Sequence, residues 1–335
     1  MSDPHPAATP LPRLIYTGNV IVDVVMTIDR LPEPGGDTIA SSSLLTPGGG
    51  YNVMVAAQRD GLDVTFAGQF GSGPFGTRVR RALTGGGFDV VQSGLDDVDS
   101  GYCVALVDSS TERTFITHVG AEGQLTRGDL DRTNVGAHDI VYVTGYSLAH
   151  PVNAASLPGW LEALPAATRV ITDPSPLIDT LDAQTLARVL ARTDVFSANA
   201  REARLGSGQH ELGAAATLYL DRIRSQGLVV VRDGPRGCWL AGADIGAEPV
   251  LVSGFAVTAV DTNGAGDAHG GVLASALARG ETPLDAARRA NAAAALAVTH
   301  PGPATGRTSD EIEAFLRAAG HGRRASTRQI RATRS

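Results

Sequence analysis

The sequence predicts an α/β protein: a mostly parallel sheet with helices on both faces and a small second sheet to one side. Three observations predict it. From Ile140 onward, short β-branched runs alternate with helical segments, the pattern of βα units. Residues 88–118 break that pattern with two strand-like runs, Tyr102 to Val107 and Arg113 to Thr117, joined by the polar turn Asp108-Ser109-Ser110 as a hairpin. Near the C-terminus an apolar run, Phe255 to Val260, leads into Asp261-Thr262-Asn263-Gly264-Ala265-Gly266-Asp267 and then an alanine-rich helical stretch. That reads as strand, glycine turn and helix start.

The elements follow in order. Residues 1–12 are polar and proline-rich, a loose tail with no basic or apolar region of a signal peptide. Arg13 to Met26 reads as a strand interrupted by Gly18-Asn19 and carrying Asp23 inside an apolar run. Leu31 to Gly36 is turn chemistry, and Thr38 to Leu45 a short β-prone piece outside the main sheet. Pro47-Gly48-Gly49-Gly50-Tyr51-Asn52 precedes a helix from about Val53 to Arg59. A strand (Val64 to Ala67) and a helix (Phe75 to Leu83) come next. Strands are expected at 140–143, 169–172, 194–197 and 228–231 with helices between them, and short strands near 237–241 and 249–252. Two helices are expected at about 266–279 and 283–298. Thr308-Ser309-Asp310-Glu311 has capping-box spacing before a last helix, Ile312 to Ala319. Residues 321–335 carry five arginines and read as a basic, disordered tail. The excursions at about 30–46 and 98–118 are expected to form the small sheet.

Composition narrows the function. The chain has 335 residues, 43% hydrophobic and 19% charged, enough for a large core. A net charge of −7 disfavours nucleic-acid binding, and no run of about 18 apolar residues spans a membrane. Cys103 and Cys238 have no metal-ligand spacing, which fits a reducing cytoplasm. Every basic residue except histidine is arginine. Lysine nucleophiles and the lysine-dependent G-x-x-x-x-G-K-[ST] phosphate loop are therefore excluded.

In Asp261 to Asp267, Gly264 and Gly266 free the backbone to approach a ligand. The amides of Ala265, Gly266 and Asp267 at a helix start can hold the negative charge growing on a transferring phosphoryl group. Asp267, kept ionised by the helix dipole, can serve as general base toward a hydroxyl. The plain alternative is a glycine-rich connection that only permits a tight turn.

The stretch closely resembles the D-T-x-G-A-G-D-x-F signature of the ribokinase-like (PfkB-type) carbohydrate kinases. Gly18 to Asp23, Gly48 to Asn52, Gly68 to Gly76, Asn199 to Glu202, Gly234 to Gly237 and Ala290 to Gly302 fall in the family's order, and the resemblance covers about residues 13–320. It implies a three-layer α/β/α sandwich with a β-sheet lid, and a kinase using ATP and Mg²⁺ on a small-molecule sugar. By the resemblance Asp267 is the base, and Gly264, Ala265 and Gly266 form the anion hole. Asp23, Asn52, Gly48 and Gly49 meet the sugar. Asn199 and Glu202 hold hydrated Mg²⁺ and the ATP phosphates. Arg232, Gly234, Gly237 and Asn291 line the nucleotide site, and Asp261 with the backbone of Asn263 borders a K⁺-type site. In relatives such lids also pair two subunits, which implies a homodimer.

Each assignment has a plainer counterpart: Asp23 as a strand-end aspartate, Asn52 as a helix N-cap, Asn199 and Glu202 as a surface helix start, Arg232 as a surface charge. Ile21 stands where ribokinases carry a sugar-binding asparagine, and Tyr142 to Tyr146 lacks a ribose-contacting glutamate, which argues against ribose. Asp173 to Leu177 lacks the arginine of many ketogluconate kinases. His269 replaces the usual phenylalanine and reads as a packing residue before a second base. His118 and Glu122 read as solvated loop residues beside the sugar pocket. The alternatives are a nucleoside kinase, for which Tyr51, Tyr102 and Phe115 offer base contacts, and an idle sugar-binding regulator. A Rossmann oxidoreductase lacks its G-x-G-x-x-G after the first strand.

Overall fold

The computed structural model describes residues 12–110, 112–302 and 306–332, so all but the last residue of the expected N-terminal tail lies outside it. The chain opens with β1 (Arg13–Tyr16), β2 (Val20–Thr27), β3 (Ser42–Gly49), α1 (Tyr51–Arg59), β4 (Asp63–Phe66), α2 (Pro74–Gly85) and β5 (Asp89–Val90). There follow β6 (Tyr102–Val107), β7 (Arg113–His118), α3 (Arg127–Asp131), β8 (Ile140–Thr144), α4 (Gly145–Leu148), α5 (Pro151–Glu162), β9 (Arg169–Asp173) and α6 (Ala183–Arg192). Then come β10 (Val195–Asn199), α7 (Ala200–Ser207), α8 (Leu212–Leu220), β11 (Leu228–Arg232), β12 (Gly237–Gly242) and β13 (Val250–Ser253). The chain closes with α9 (Ala265–Ala278), α10 (Pro283–Ala297) and α11 (Ser309–Ala332).

Nine strands form the main sheet in the order β13-β12-β11-β10-β9-β8-β1-β4-β5. Its pairs are parallel except at one edge, where β12 runs antiparallel to both β11 and β13. Apolar clusters lie on both faces, so this is a sheet sandwiched between helices. The second sheet has the order β3-β2-β6-β7. As expected, β6 and β7 form an antiparallel hairpin.

Three expectations need correcting. The run Arg13 to Met26 is two strands in two sheets. A Cβ at Gly18 would lie 2.4 Å from the Tyr16 hydroxyl, and at this glycine the chain leaves the main sheet. Val20–Thr27 therefore belongs to the lid, and with it Asp23. Second, Phe255 to Val260 is not a strand: the sheet ends at Ser253, and the amides of Val260 and Asp261 bond the carbonyl of Val298 at 2.7 and 3.1 Å. The run is anchored to the end of α10 instead. Third, the last helix continues past Ala319 to Ala332, so most of the segment read as a tail has helical backbone; residues 333–335 lie outside the described residues.

The site depends on how α1 meets α9. A Cβ at Gly271 would stand 2.4 Å from the carbonyl oxygen of Val53 and 2.8 Å from Cβ of Ala56, so the two helices touch at backbone distance. At the far end of α1, the fully buried Asp60 carboxylate is gripped by Arg289 from α10 (Nε–Oδ1 3.0 Å, Nη2–Oδ1 2.5 Å) and by Arg279 after α9 (Nη2–Oδ2 2.9 Å). Arg289 also reaches Ser309 Oγ of α11 at 2.6 Å. Removing the carboxylate strands the buried Arg289 guanidinium, while the more exposed Arg279 keeps Glu281 at 2.9 Å. We expect Asp60→Ala to lower unfolding stability by about 3–5 kcal/mol, measured by urea denaturation; a loss below about 1 kcal/mol, the range of a surface pair, would contradict this.

Candidate active site

The last residues of β1, β8, β9, β10 and β11 are Tyr16, Thr144, Asp173, Asn199 and Arg232. These carboxyl ends face the start of α9, the place where open α/β sheets bind ligands. Gly264 caps α9 in the left-handed conformation (φ 76°), which favours glycine. The first-turn amides of Gly266 and Asp267 have no intrahelical acceptor, and that of Ala265 makes only a long 3.4 Å contact to the Thr262 carbonyl.

Asp267 sits in that first turn, and Asn52 Nδ2 donates to its Oδ2 at 3.0 Å. Burial pushes the Asp267 carboxyl up to about 6; the Asn52 bond opposes this, the Asp173 charge adds to it, and Arg232 opposes it. Asn52 is not the helix cap, because Gly50 holds that position without a side-chain bond. Its Oδ1 is buried with no partner among the described residues.

Asp23 approaches from the lid. Burial, then the charge of Asp267, lift its carboxyl to about 6. A Cβ at Gly48 would fall 2.2 Å from Asp23 Oδ2, so Gly48 makes room for the carboxylate itself. Gly49 takes φ 61°. Strand register places Thr46, Asp23, Cys103 and Thr117 in one cross-strand row, with Thr117 Oγ1 3.4 Å from Cys103 Sγ. Beside this row Asn19 Nδ2 meets His150 Nε2 at 3.0 Å, and Ser147 Oγ donates to Asn19 Oδ1 at 3.1 Å. Glu122, read as solvated, is instead buried and accepts the amides of Gly101 and Gly120 at 2.8 and 2.9 Å. His118 is exposed, its ring 5.4 Å from that of Tyr102.

Arg232 points into the site. Its Nη1 donates to Ser197 Oγ (2.8 Å) and Asp173 Oδ2 (3.1 Å), its Nη2 stands 3.7 Å from Glu202 Oε2, and its guanidinium lies 3.9 Å from where a Gly266 Cβ would be. Burial opposes its charge, but Asp173 and Glu202 outweigh burial and raise its pKa above the usual arginine value. Glu202 is buried and pushed up to about 7, by burial first and Asp173 next, with Arg232 opposing. Asn199 and Glu202 form a capping box on α7: Asn199 Oδ1 accepts the Glu202 amide (2.9 Å) and Glu202 Oε2 the Asn199 amide (2.7 Å). No hydrogen bond among the described residues uses Glu202 Oε1. Gly234 is exposed with φ 57°. At Gly237 a Cβ would lie 2.0 Å from the Val252 carbonyl oxygen, so its glycine serves the β12–β13 corner. Asn291 spends its amide on the carbonyls of Val252 (3.0 Å) and Ser253 (3.4 Å).

His269 is packed inside α9's surroundings at 2% exposure, and burial followed by the Arg232 charge pushes it down to about 3, so the ring is neutral. Asn291 lies beside it and acts in the opposite direction, though no bond of normal geometry joins them. Asp261 Oδ1 accepts from the Asn263 amide (2.8 Å) and from Arg113 Nη2 (2.7 Å), and its Oδ2 from the Gly302 amide (3.1 Å). Sequence reasoning missed Asp173, Arg113 and Cys103. Asp173 had a usable signal, an acid at the carboxyl end of a buried strand; the other two are placed by the pairing of lid strands.

A profile described as pfkB family carbohydrate kinase matches residues 12–310. The chain is 30% identical over 310 residues to an uncharacterized sugar kinase, YegV, of Escherichia coli strain K12, covering 92% of this chain and 95% of that one. It is 31% identical to an ATP-dependent ribose-1-phosphate kinase of Halopiger xanaduensis, covering 91% and 98%. A ribokinase structure from Thermotoga maritima superposes with a TM-score of 0.76 at 22% identity, covering 91% and 99%. With the profile spanning nearly the whole chain and two full-length relatives at this identity, the protein belongs to the pfkB family of carbohydrate kinases.

Proposed function

We propose that the protein transfers the γ-phosphoryl group of MgATP to a hydroxymethyl group of a small sugar or polyol, with Asp267 as general base. The observation that carries this is the Asn52–Asp267 hydrogen bond of 3.0 Å. It places a carboxylate at the open start of α9 and within the group of residues that faces Asp23. A hydroxyl held between Asp23 and Asn52 gives its proton to Asp267. The deprotonated oxygen bonds to the γ-phosphorus as the bond to ADP breaks, and the amides of Ala265, Gly266 and Asp267 stabilise the charge on the transferring group.

The donor set fits Mg²⁺, which keeps most of its waters and takes one or two carboxylates plus phosphates. Glu202, reached through water with Asn199 beside it, would hold the ion, and the ion supplies neutralisation of phosphate charge. Arg232 adds a fixed cation close beneath Gly266, and Gly234, Gly237 and Asn291 shape the nucleotide floor. Similar solved structures include a putative ribokinase II of E. coli in complex with ATP and Mg²⁺. Nucleoside phosphorylation is the second reading, on one observation: Tyr102 of the lid stacks on Phe75 of α2 at 4.7 Å, a surface suited to a base. No helix among the described residues is long and apolar enough to cross a membrane. Cys103 and Cys238 are free, which supports a cytoplasmic setting.

The lid also supports a homodimer. Leu45, Val24, Val104 and Ile116 form one apolar cross-strand row on the face opposite Asp23, with Ile116 62% exposed. A second copy would cover that row. Light scattering should find a dimer that Ile116→Asp converts to monomer; a wild-type monomer at working concentration would remove this part.

Two kinetic outcomes test the mechanism. Across a panel of sugars and nucleosides, Asp267→Asn should lower kcat for ADP release by about 10²–10⁴-fold, the weight of a general base. Full activity in that variant would exclude Asp267 as base, and no turnover by the wild type would favour an idle binding protein. The base must be unprotonated, so kcat/KM should fall as pH drops through about 6. The Asn52 bond holds that value down, so Asn52→Ala should move the acid limb to higher pH, beyond any rise in KM. An unmoved limb would detach Asn52 from the base.

A further inference from the structure

The family resemblance assigns Asp261 to a monovalent cation, and the residues around it do not fit one. Its carboxylate already holds a guanidinium at 2.7 Å and two backbone amides at 2.8 and 3.1 Å. One full positive charge and two amide dipoles match its single negative charge, and the Arg113 and Asn263 bonds hold its carboxyl below the usual range despite burial. A further cation placed against it would stand beside a guanidinium.

The guanidinium comes from the lid. Arg113 opens β7, the edge strand of the small sheet, opposite Val107. Strand alternation puts Arg113, Phe115 and Thr117 on one face. Thr117 lies in the cross-strand row of Cys103 and Asp23, so this is the face that carries the Asp23 carboxylate. The ion pair therefore runs from the substrate side of the lid to the loop that enters the anion hole, three positions before Gly264. Both side chains are mostly shielded, at 27% and 16% exposure, so bulk salt screens the pair weakly.

We propose that Arg113 is a built-in replacement for the monovalent cation at Asp261 and the latch that closes the lid over the cleft. The same carboxylate that Arg113 grips also accepts the Asn263 and Gly302 amides. Lid closure and ordering of residues 261–264 are thus one event, and the enzyme needs no K⁺. Arg113 is a positioning residue: it acts through Asp261 on the anion hole and touches no reacting atom. The rate arm of the test rests on the kinase reading above; the other two arms do not.

Wild type, Arg113→Ala and Arg113→Lys are compared in K⁺ and in tetramethylammonium. The wild-type rate should be the same in both. Arg113→Ala should fall by about tenfold or more without K⁺, the weight of one charge-assisted hydrogen bond, and recover most of the loss when K⁺ is added. Arg113→Lys should keep K⁺ independence. Independently of turnover, amide exchange across 113–118 and 262–266 should speed up by about tenfold in Arg113→Ala for the same reason. That variant alone should gain thermal stability from K⁺. Asp261→Asn should give the same exchange pattern, and the double variant no more than either single one, which separates the latch from general misfolding. A wild type stimulated by K⁺ as strongly as Arg113→Ala, or exchange unchanged in Arg113→Ala, overturns the proposal. If no acceptor turns over, the kinase reading fails, and the exchange and melting results still decide the latch.

Discussion

Everything in the cleft depends on how closely α1 and α9 approach. Gly271 leaves no room for a side chain against the Val53 carbonyl, and that contact fixes where each helix begins. Asn52 is the second residue of α1 and Asp267 the third of α9, so backbone contact at the seventh residue of α9 and the third of α1 brings their side chains to 3.0 Å. At the other end of α1, Asp60 ties that helix to the end of α9 through Arg279 and to α10 through Arg289. A pair of helices pinned at both ends holds Asp267 and its hydrogen-bond partner to the fraction of an ångström that the proposed proton transfer requires.

Fixed positive charge in this cleft is supplied by arginine alone, because the chain has no lysine. The consequence is geometric as well as electrostatic. Arg232 forks between Ser197, Asp173 and Glu202, which a point-charge ammonium could not do with the same fixity. Its guanidinium lies flat beside Gly266 and is held there before any ligand arrives. Arg113 supplies a second fixed charge, paired with Asp261 at 2.7 Å just before the start of α9.

How much of this was legible follows from range. The strands from Ile140 to Arg232, the hairpin, and the turn at Gly264 are set by local pattern and backbone sterics, and the sequence reading placed them within a few residues. The motif around Asp267 was legible for the same reason. What was hidden lies in pairing between distant segments. Nothing local says that Val20–Thr27 leaves the main sheet at Gly18, that Thr46 and Thr117 share a row with Asp23, or that Arg113 reaches Asp261, 148 positions away. The apolar run before Asp261 misled because β-branched residues fit any half-buried surface; here α10, not a neighbouring strand, takes its amides. Asn52 as a cap failed because Gly50 holds the N-cap two positions earlier.

The division of the two central carboxylates between lid and body has a consequence of its own. Asp23 rides on β2 and Asp267 on α9, and each is raised to about 6, chiefly by burial. Burial of these groups depends on the lid lying close, and Asp23 also carries the cost of facing Asp267. Closure over an empty cleft therefore leaves two ionised carboxylates facing each other with little water between them, which is unfavourable. The proposed polyol acceptor relieves this directly, because its hydroxyls would donate to both and replace the water that closure removes. The lid sheet then favours its closed position most when an acceptor is bound, and the phosphoryl group is exposed to a hydroxyl instead of to water. In the proposed reaction, selection of a sugar over water thus follows from the same desolvation that tunes the base.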